Sequence, residues 1–332
     1  MRNILIILLT LLVLSACRDD RQKDFFLSEG KVEIHRYDRL QFEASVMNSV
    51  TALQKMNMDF PNATKILIED ILVLGTVDGD KINDRLCKYY SDSSLVNLML
   101  DVEEKYKNLT IYEDELTDAF KVLKKEIPSF VVPAVYSQIS ALNQSIVVSD
   151  SLLGISLDKY MGEDYPLYKK YYYNYQRKSM SPDRIIPDCI SFYLSSLYPF
   201  AWEDGHRTLF DVMMYKAKIS WITERVMGVK KLGTSALGYT KEELQWCKDN
   251  KKSFISWLEK SGHMDSTDPM IIRAYILPMP NEVLKETVPY MIGVWIGMQY
   301  VDAYMSEHPD VNFEQLLSFT DYKEILKDVT VK

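Results

Sequence analysis

An apolar run of eleven residues, Ile4 to Leu14, stands at the front of the chain behind a single positive residue, Arg2, and stops at Leu14-Ser15-Ala16-Cys17. As a helix it would reach only about 16 Å, against a hydrocarbon core of roughly 30 Å, so it is too short for an ordinary membrane span. A positive start, a short apolar centre and small residues at the end make an export signal that is cut away. The fold must therefore be built from the residues after it, outside the cytoplasm.

The two small residues immediately before Cys17 resemble a bacterial lipoprotein signal, in which the cysteine thiol is acylated and residues 1–16 are removed. Cys17 would then be the first residue of the mature chain and carry its lipid, the only attached group expected. The other reading is a plain cleavable signal with an incidental cysteine. Asp at the next position commonly holds such proteins in the inner membrane, and here Arg18 follows, so outer-membrane delivery is expected. Arg18-Asp19-Asp20 resembles the short acidic export signal of surface lipoproteins in the Bacteroidota, and reads equally as a solvated tether. Which side of the outer membrane the body faces stays open. Residues 17–30, ending in Ser28-Glu29-Gly30, are expected to link lipid to fold.

Only 12 Gly and 12 Pro punctuate 332 residues, which fits a helix-rich globule. The formal net charge of −8 argues against a nucleic-acid binder, whose affinity comes from clustered Lys and Arg. Val32 to Tyr37 alternates in part like a strand, and residues 43–126 read mostly as helices joined by turns such as Asp78-Gly79-Asp80. The β-branched stretches Phe130 to Tyr136 and Ser145 to Val148, with Asn143-Gln144 between them, predict a small hairpin. Pro133 would place its strand at an edge or a bulge. Helix returns after about residue 164. One helix, over about Arg207 to Met227, carries Leu209, Val212, Met213, Ala217, Ser220, Trp221 and Glu224. Thr240-Lys241-Glu242-Glu243 is a capping box opening a second, and Pro289 is read as opening a third, with Gly293 and Gly297 on a wide apolar stripe. Gln299 and Asp302 break that stripe before it reaches the ~20 residues of a span, so the third helix is expected in the core. The expected class is mainly α with a small β-sheet, α+β, in one domain over residues 31–332.

A search for chemistry is mostly negative. No phosphate-binding glycine loop is present, and Gly154-Ile155-Ser156-Leu157-Asp158 lacks the second glycine of a nucleophile elbow. Ile82 and Tyr89 sit where a calcium loop beginning at Asp78 would need ligands. His35, His206, His263 and His308 form no H-E-x-x-H pair. Cys87, Cys189 and Cys247 have no metal spacing, and the last two lie in helical patterns as small hydrophobes. Tyr165, Tyr168, Tyr171, Tyr172, Tyr173 and Tyr175 cluster with Lys169, Lys170, Arg177 and Lys178. They are read mainly as half-buried rings with wet hydroxyls, and alternatively as a platform for glycan.

Seven segments in order carry a resemblance to a known family: Ile34-His35-Arg36-Tyr37-Asp38, Ile127-Pro128-Ser129-Phe130, Leu157-Asp158-Lys159-Tyr160-Met161-Gly162, Arg184-Ile185-Ile186-Pro187-Asp188, Thr208-Leu209-Phe210-Asp211-Val212-Met213, Gly238-Tyr239-Thr240-Lys241-Glu242-Glu243-Leu244-Gln245-Trp246-Cys247, and Ile292-Gly293-Val294-Trp295-Ile296-Gly297. Together with the lipid signal, the chain resembles the gliding-motility lipoprotein family GldB of the Bacteroidota. It departs from the family at Glu286 to Met291, where a Pro-Gly-Arg turn is usual. The resemblance implies a helical part over about 31–128 and a degenerate zincin-like part over about 129–332. In place of zinc donors the latter carries Asp188-Cys189-Ile190-Ser191-Phe192-Tyr193 on one helix and Met214-Tyr215-Lys216-Ala217-Lys218 on another. Without donors no metal can be held, so a non-enzymatic groove is expected around Asp158, Tyr160, Tyr193, Tyr215 and Trp295, taking an envelope protein or peptide. The alternatives are a divergent metallopeptidase using His206 and Glu224, and a surface glycan binder using Tyr171 and Tyr172. The resemblance also implies a role in gliding or in protein export.

Overall fold

The computed structural model describes residues 30–202, 205 and 207–328. The leader, Cys17 with its tether, and the Glu203, Asp204 and His206 group lie outside the described residues.

A two-residue strand, β1 (Ile34–His35), leads into a helical stretch: α1 (Tyr37–Ser45), α2 (Val50–Asp59), α3 (Pro61–Ile66), α4 (Ile82–Tyr90), α5 (Ser93–Lys105) and α6 (Thr110–Glu126). Local chemistry sets several of these starts. Ser49 Oγ accepts from Ala52 N at 3.2 Å ahead of α2, Asp92 caps α5, and Pro61 opens α3, where its missing N–H costs nothing. The strands β2 (Ala134–Gln138), β3 (Ile146–Ser149) and β4 (Leu152–Ser156) come next. After the short α7 (Pro166–Tyr171) and α8 (Asn174–Arg177) come α9 (Ile185–Leu197), α10 (Leu209–Val226), α11 (Lys241–Ser261), α12 (Pro269–Ile276), α13 (Ile292–Glu307), α14 (Phe313–Ser318) and α15 (Tyr322–Asp328). The expected helix-rich class with a small sheet is therefore the one the chain adopts.

The sheet corrects the expected hairpin. Its order is β1-β2-β4-β3, with β2 parallel to both β1 and β4, and only β3 and β4 antiparallel. The tight turn lies at Asp150-Ser151, with Asp150 at φ 43°, and β4 inserts between the two segments expected to pair. Every residue of β2 is buried, as an internal strand requires. Pro133 precedes the strand, so no edge or bulge is needed, and Ala134 N begins the ladder by donating to Ser151 O at 2.8 Å. The third long helix also begins later than Pro289, at Ile292.

One hydrophobic core runs from Val32 to Ile325, and its densest seam is α10 against α13. Gly297 makes that seam possible: a Cβ there would lie 2.6 Å from Ala217 Cβ and 3.2 Å from Met213 O. Gly293, one turn away, leaves room in the same manner for Tyr275 of α12. Asp302 is held across the seam by Trp221 Nε1 at 2.9 Å and by Arg225. Among the described residues no helix is long and apolar enough to cross a membrane. Alanine at 297 would gain up to ~1 kcal/mol of helix propensity. Overpacking costs about 1–3 kcal/mol and should win. Gly297→Ala is therefore expected to lower the urea midpoint, and adding Ala217→Gly to recover most of the loss. Simple additivity of the two changes in urea melts would refute the close approach.

Candidate functional site

A groove of about 460 Å³ opens between α9, α10 and the segments around residues 236–239, 276–278 and 290–291. It lies within the ~300–1,000 Å³ common for ligand sites. Its walls arise from local sequence. Thr208 and Asp211 cap one another at the start of α10, and Thr240 and Glu243 do so at the start of α11. The loop between α10 and α11 is held from beneath by Glu224, whose Oε1 accepts from the N–H groups of Gly233, Ser235 and Ala236 at 2.9, 3.0 and 3.0 Å. The carbonyls of the same loop face the other way. Ser235 O and Ala236 O both accept from the Arg184 guanidinium, so one short loop separates a buried acid from a partly buried cation.

Arg184 also donates to Asp188 Oδ1 at 3.0 Å, and Tyr160 OH donates to Asp188 Oδ2 at 2.9 Å. Burial pushes the Asp188 carboxyl up, against the pull of Arg184 and Tyr160. At the rim Lys178 pairs with Glu243 at 3.2 Å. Burial also pushes the Lys216 amine below its ordinary value. The hydroxyls of Ser191 and Ser195 on α9 donate to the carbonyls of Asp188 and Ser191 at 3.3 and 2.7 Å. Their oxygens remain acceptors.

Of the five residues expected around the groove, Tyr215 lines it. Asp158, Tyr160, Tyr193 and Trp295 are buried behind it, at 0%, 0%, 1% and 4% exposure. Tyr160 reaches it through Asp188, whereas Tyr193 OH donates to Val131 O at 2.9 Å. Trp295 backs the loop, donating through Nε1 to Leu232 O at 3.1 Å. Asp158 clamps the 139–145 connection: Oδ1 accepts from Ser140 N at 2.9 Å and Oδ2 from Leu142 N at 2.6 Å. Desolvation raises its carboxyl to about 6 despite those bonds. Arg184, Asp188 and Lys216 are the groove residues that sequence reasoning did not single out. Two of them stand at the ends of Arg184-Ile185-Ile186-Pro187-Asp188, whose i,i+4 spacing signals a helical ion pair.

Other expected groups find ordinary places. Cys189 and Cys247 are buried at 0% and 1% exposure, and they and Cys87 are free thiols. His263 Nδ1 meets Tyr275 OH at 2.8 Å and His308 Nδ1 meets Tyr304 O at 2.9 Å. Among the described residues no three His, Cys, Asp or Glu side chains gather as metal donors. The tyrosine cluster divides. Tyr168 is fully buried, and Tyr165 and Tyr172 anchor their hydroxyls on Asp101 and on Leu142 O. Tyr171 and Tyr173 are exposed, and Tyr173 stacks on Tyr175 with centroids 5.8 Å apart.

A family model described as gliding motility protein GldB matches residues 19–332. The chain belongs to the GldB family. No curated protein and no solved structure matches it, so the zincin-like part of the expectation has no solved relative behind it. In this GldB-family chain, two of the segments that carried the resemblance meet at the groove: Arg184 and Asp188 from one, Gly238, Tyr239 and Glu243 from another. The segment that departs from the family, Glu286 to Met291, supplies Tyr290 and Met291 to the same wall. Family membership associates the chain with gliding motility and with lipoproteins of the envelope.

Proposed function

We propose that this GldB-family chain is a non-enzymatic binding component of the outer membrane, anchored by lipid on Cys17 and tethered by residues 17–30. Its groove would hold an extended segment of another envelope protein in a gliding or secretion apparatus. One observation carries the reading: both carboxylates at the groove are committed to cations, Asp188 to Arg184 and Glu243 to Lys178. A general acid or base must have its proton-transfer atoms available to substrate, and these are occupied in structural pairs. Glu224, the acid that a divergent metallopeptidase would need, is 0% exposed and spends Oε1 on three backbone N–H groups. The body is proposed as a peptidase-like shape that has exchanged donors for Cys189, Ser191 and Lys216 on α9 and α10.

Two measurements test this. Cys17→Ser is expected to abolish incorporation of labelled palmitate and to release the protein from the membrane fraction. Retention of label would refute the anchor. A photo-crosslinker at Phe192, on the exposed groove face of α9, should capture an envelope protein in intact cells more strongly than one at Met58, exposed on α2. Equal capture at both would refute the groove.

A second reading has its own observation. A shallow depression of about 740 Å³ is lined by Lys169, Tyr172, Tyr173, Tyr175, Arg177 and Tyr290, and rings beside cations stack on sugars. If this surface is a glycan platform, Tyr173→Ala with Tyr175→Ala should lower glycan-array retention at least ~5-fold, as loss of two rings worth about 0.5–1.5 kcal/mol each implies. Unchanged retention would remove it.

A further inference from the structure

Lys216 sets itself apart from the other ionisable groups of the groove. Arg184 faces Asp188, and Lys178 faces Glu243. Lys216 lines the same cavity from the middle of α10 and makes no hydrogen bond or ion pair with the described residues. The same cavity is lined by Phe192, Ser195, Ile219 and Leu277. A cation withdrawn from water without an anion is costly to keep. Burial accordingly lowers its proton affinity.

We propose that Lys216 receives the C-terminal carboxylate of a peptide whose last residues are apolar. The inference deepens the peptide-binding reading above and rests on it. Charge complementarity selects the occupant, because Lys216 is the one lining cation without a partner among the described residues and both lining carboxylates are paired with cations. The apolar side chains that line the same cavity, Phe192, Ile219 and Leu277, suit residues adjoining a terminus. A peptide also brings backbone N–H donors, and the oxygens of Ser191 and Ser195 accept because their own protons are spent on helix carbonyls. A fatty acid would satisfy the ammonium but offer those oxygens nothing. An ammonium–carboxylate hydrogen bond in such a place is charge-assisted and shielded from water, so it fixes the end of the ligand. Capture of a C-terminal carboxylate is a general mode of peptide recognition.

The test uses the full-length protein in detergent on arrays of random octapeptides, printed in parallel with a free C-terminal carboxylate or a C-terminal amide. Retention is expected on free-carboxylate peptides ending in apolar residues. Lys216→Met should reduce it roughly 30-fold or more, as removing one partner of a desolvated charge pair does, and Lys216→Arg should retain most of it. Equal retention of the amidated array, or of Lys216→Met, would overturn the inference. Displacement of bound peptide by sodium decanoate in a manner abolished by Lys216→Met would overturn it in favour of an amphiphile. Ser195→Trp, which fills the groove, separates the two layers of the argument. Binding lost in Ser195→Trp but kept in Lys216→Met leaves the groove standing without its anchor. Binding kept in Ser195→Trp, or absent in the wild type, removes the groove itself.

Discussion

Asp158→Ala is expected to cost about 3–5 kcal/mol of folding stability, since the N–H groups of Ser140 and Leu142 both lose a charged acceptor. The carboxylate serves Ser140 N and Leu142 N through different oxygens, and Ser140 Oγ lies 3.2 Å from Oδ2. Between them Ala141 and Leu142 both have positive φ, 53° and 65°, a conformation that costs non-glycine residues about 1–3 kcal/mol each. The segment keeps that shape because Asp158 holds it. Asn at 158 presents a single acceptor oxygen, so it leaves one of the two N–H groups facing an amide NH₂. It should fall nearer to alanine than to wild type, by at least ~2 kcal/mol. Urea unfolding at pH 8, where the carboxyl is ionised, decides the order, and an Asn variant indistinguishable from wild type would mean that the clamp does not need both oxygens.

The same carboxyl gives stability a pH dependence of known sign. Its folded value, raised to about 6 by desolvation from an ordinary 3.8, lies above the unfolded one, so between them the folded state binds the extra proton. The contribution is complete below about pH 4 and is lost as pH rises through about 6, an amount on the order of 3 kcal/mol. Subtracting the pH profile of Asp158→Asn from that of wild type should isolate this fall. A flat difference would refute the assignment.

How far these groups could be read from the chain depended on the range of the interaction. Thr240 and Glu243 lie three residues apart, and their mutual cap was legible because both partners share one turn of helix. The pairing of β2 with β4 was not, because it spans the intervening β3 and is set by the elements covering the sheet rather than by either strand. Asp150-Ser151 carries none of the Asn-Gly chemistry that marks a tight turn. The groove shows the same limit. Tyr160, Tyr193 and Trp295 were expected around the groove and are buried behind it instead, because residue type alone does not separate a core ring from a lining one. Lys216 was legible only as part of the Met214 to Lys218 segment that stands in place of zinc donors, with no role of its own. Its character comes from the absence of a partner across the groove, which is a property of tertiary neighbours.

Glu224 joins the core to the groove, and its replacement tests that link. The residue sits in the last turn of α10, where a negative charge opposes the helix dipole, and Oε2 is buried with no hydrogen-bond partner among the described residues. Burial raises its proton affinity against the three loop N–H groups that lower it. A neutral side chain would remove the charge and still leave one oxygen to the loop. Gln copies that form, so Glu224→Gln is expected to stay within ~1 kcal/mol of wild type at mildly acid pH. Its advantage over wild type should grow as pH rises from the ordinary Glu range through the raised folded value, because the folded acid must then surrender its proton in a buried place. Glu224→Ala instead strands the N–H groups of Gly233, Ser235 and Ala236, at about 3–5 kcal/mol. The loop cannot simply relax into the space, since a Cβ at Gly233, φ 96°, would already stand 2.9 Å from the Trp295 ring. It must swing outward, taking the carbonyls of Ser235 and Ala236 away from Arg184 and the wall of Ala236 to Tyr239 away from the groove. Ala at 224 should therefore lose ligand capture at Phe192 along with stability, whereas Gln should lose neither. If Ala unfolds the protein less than Gln does, or leaves capture intact, the loop is not held by this side chain.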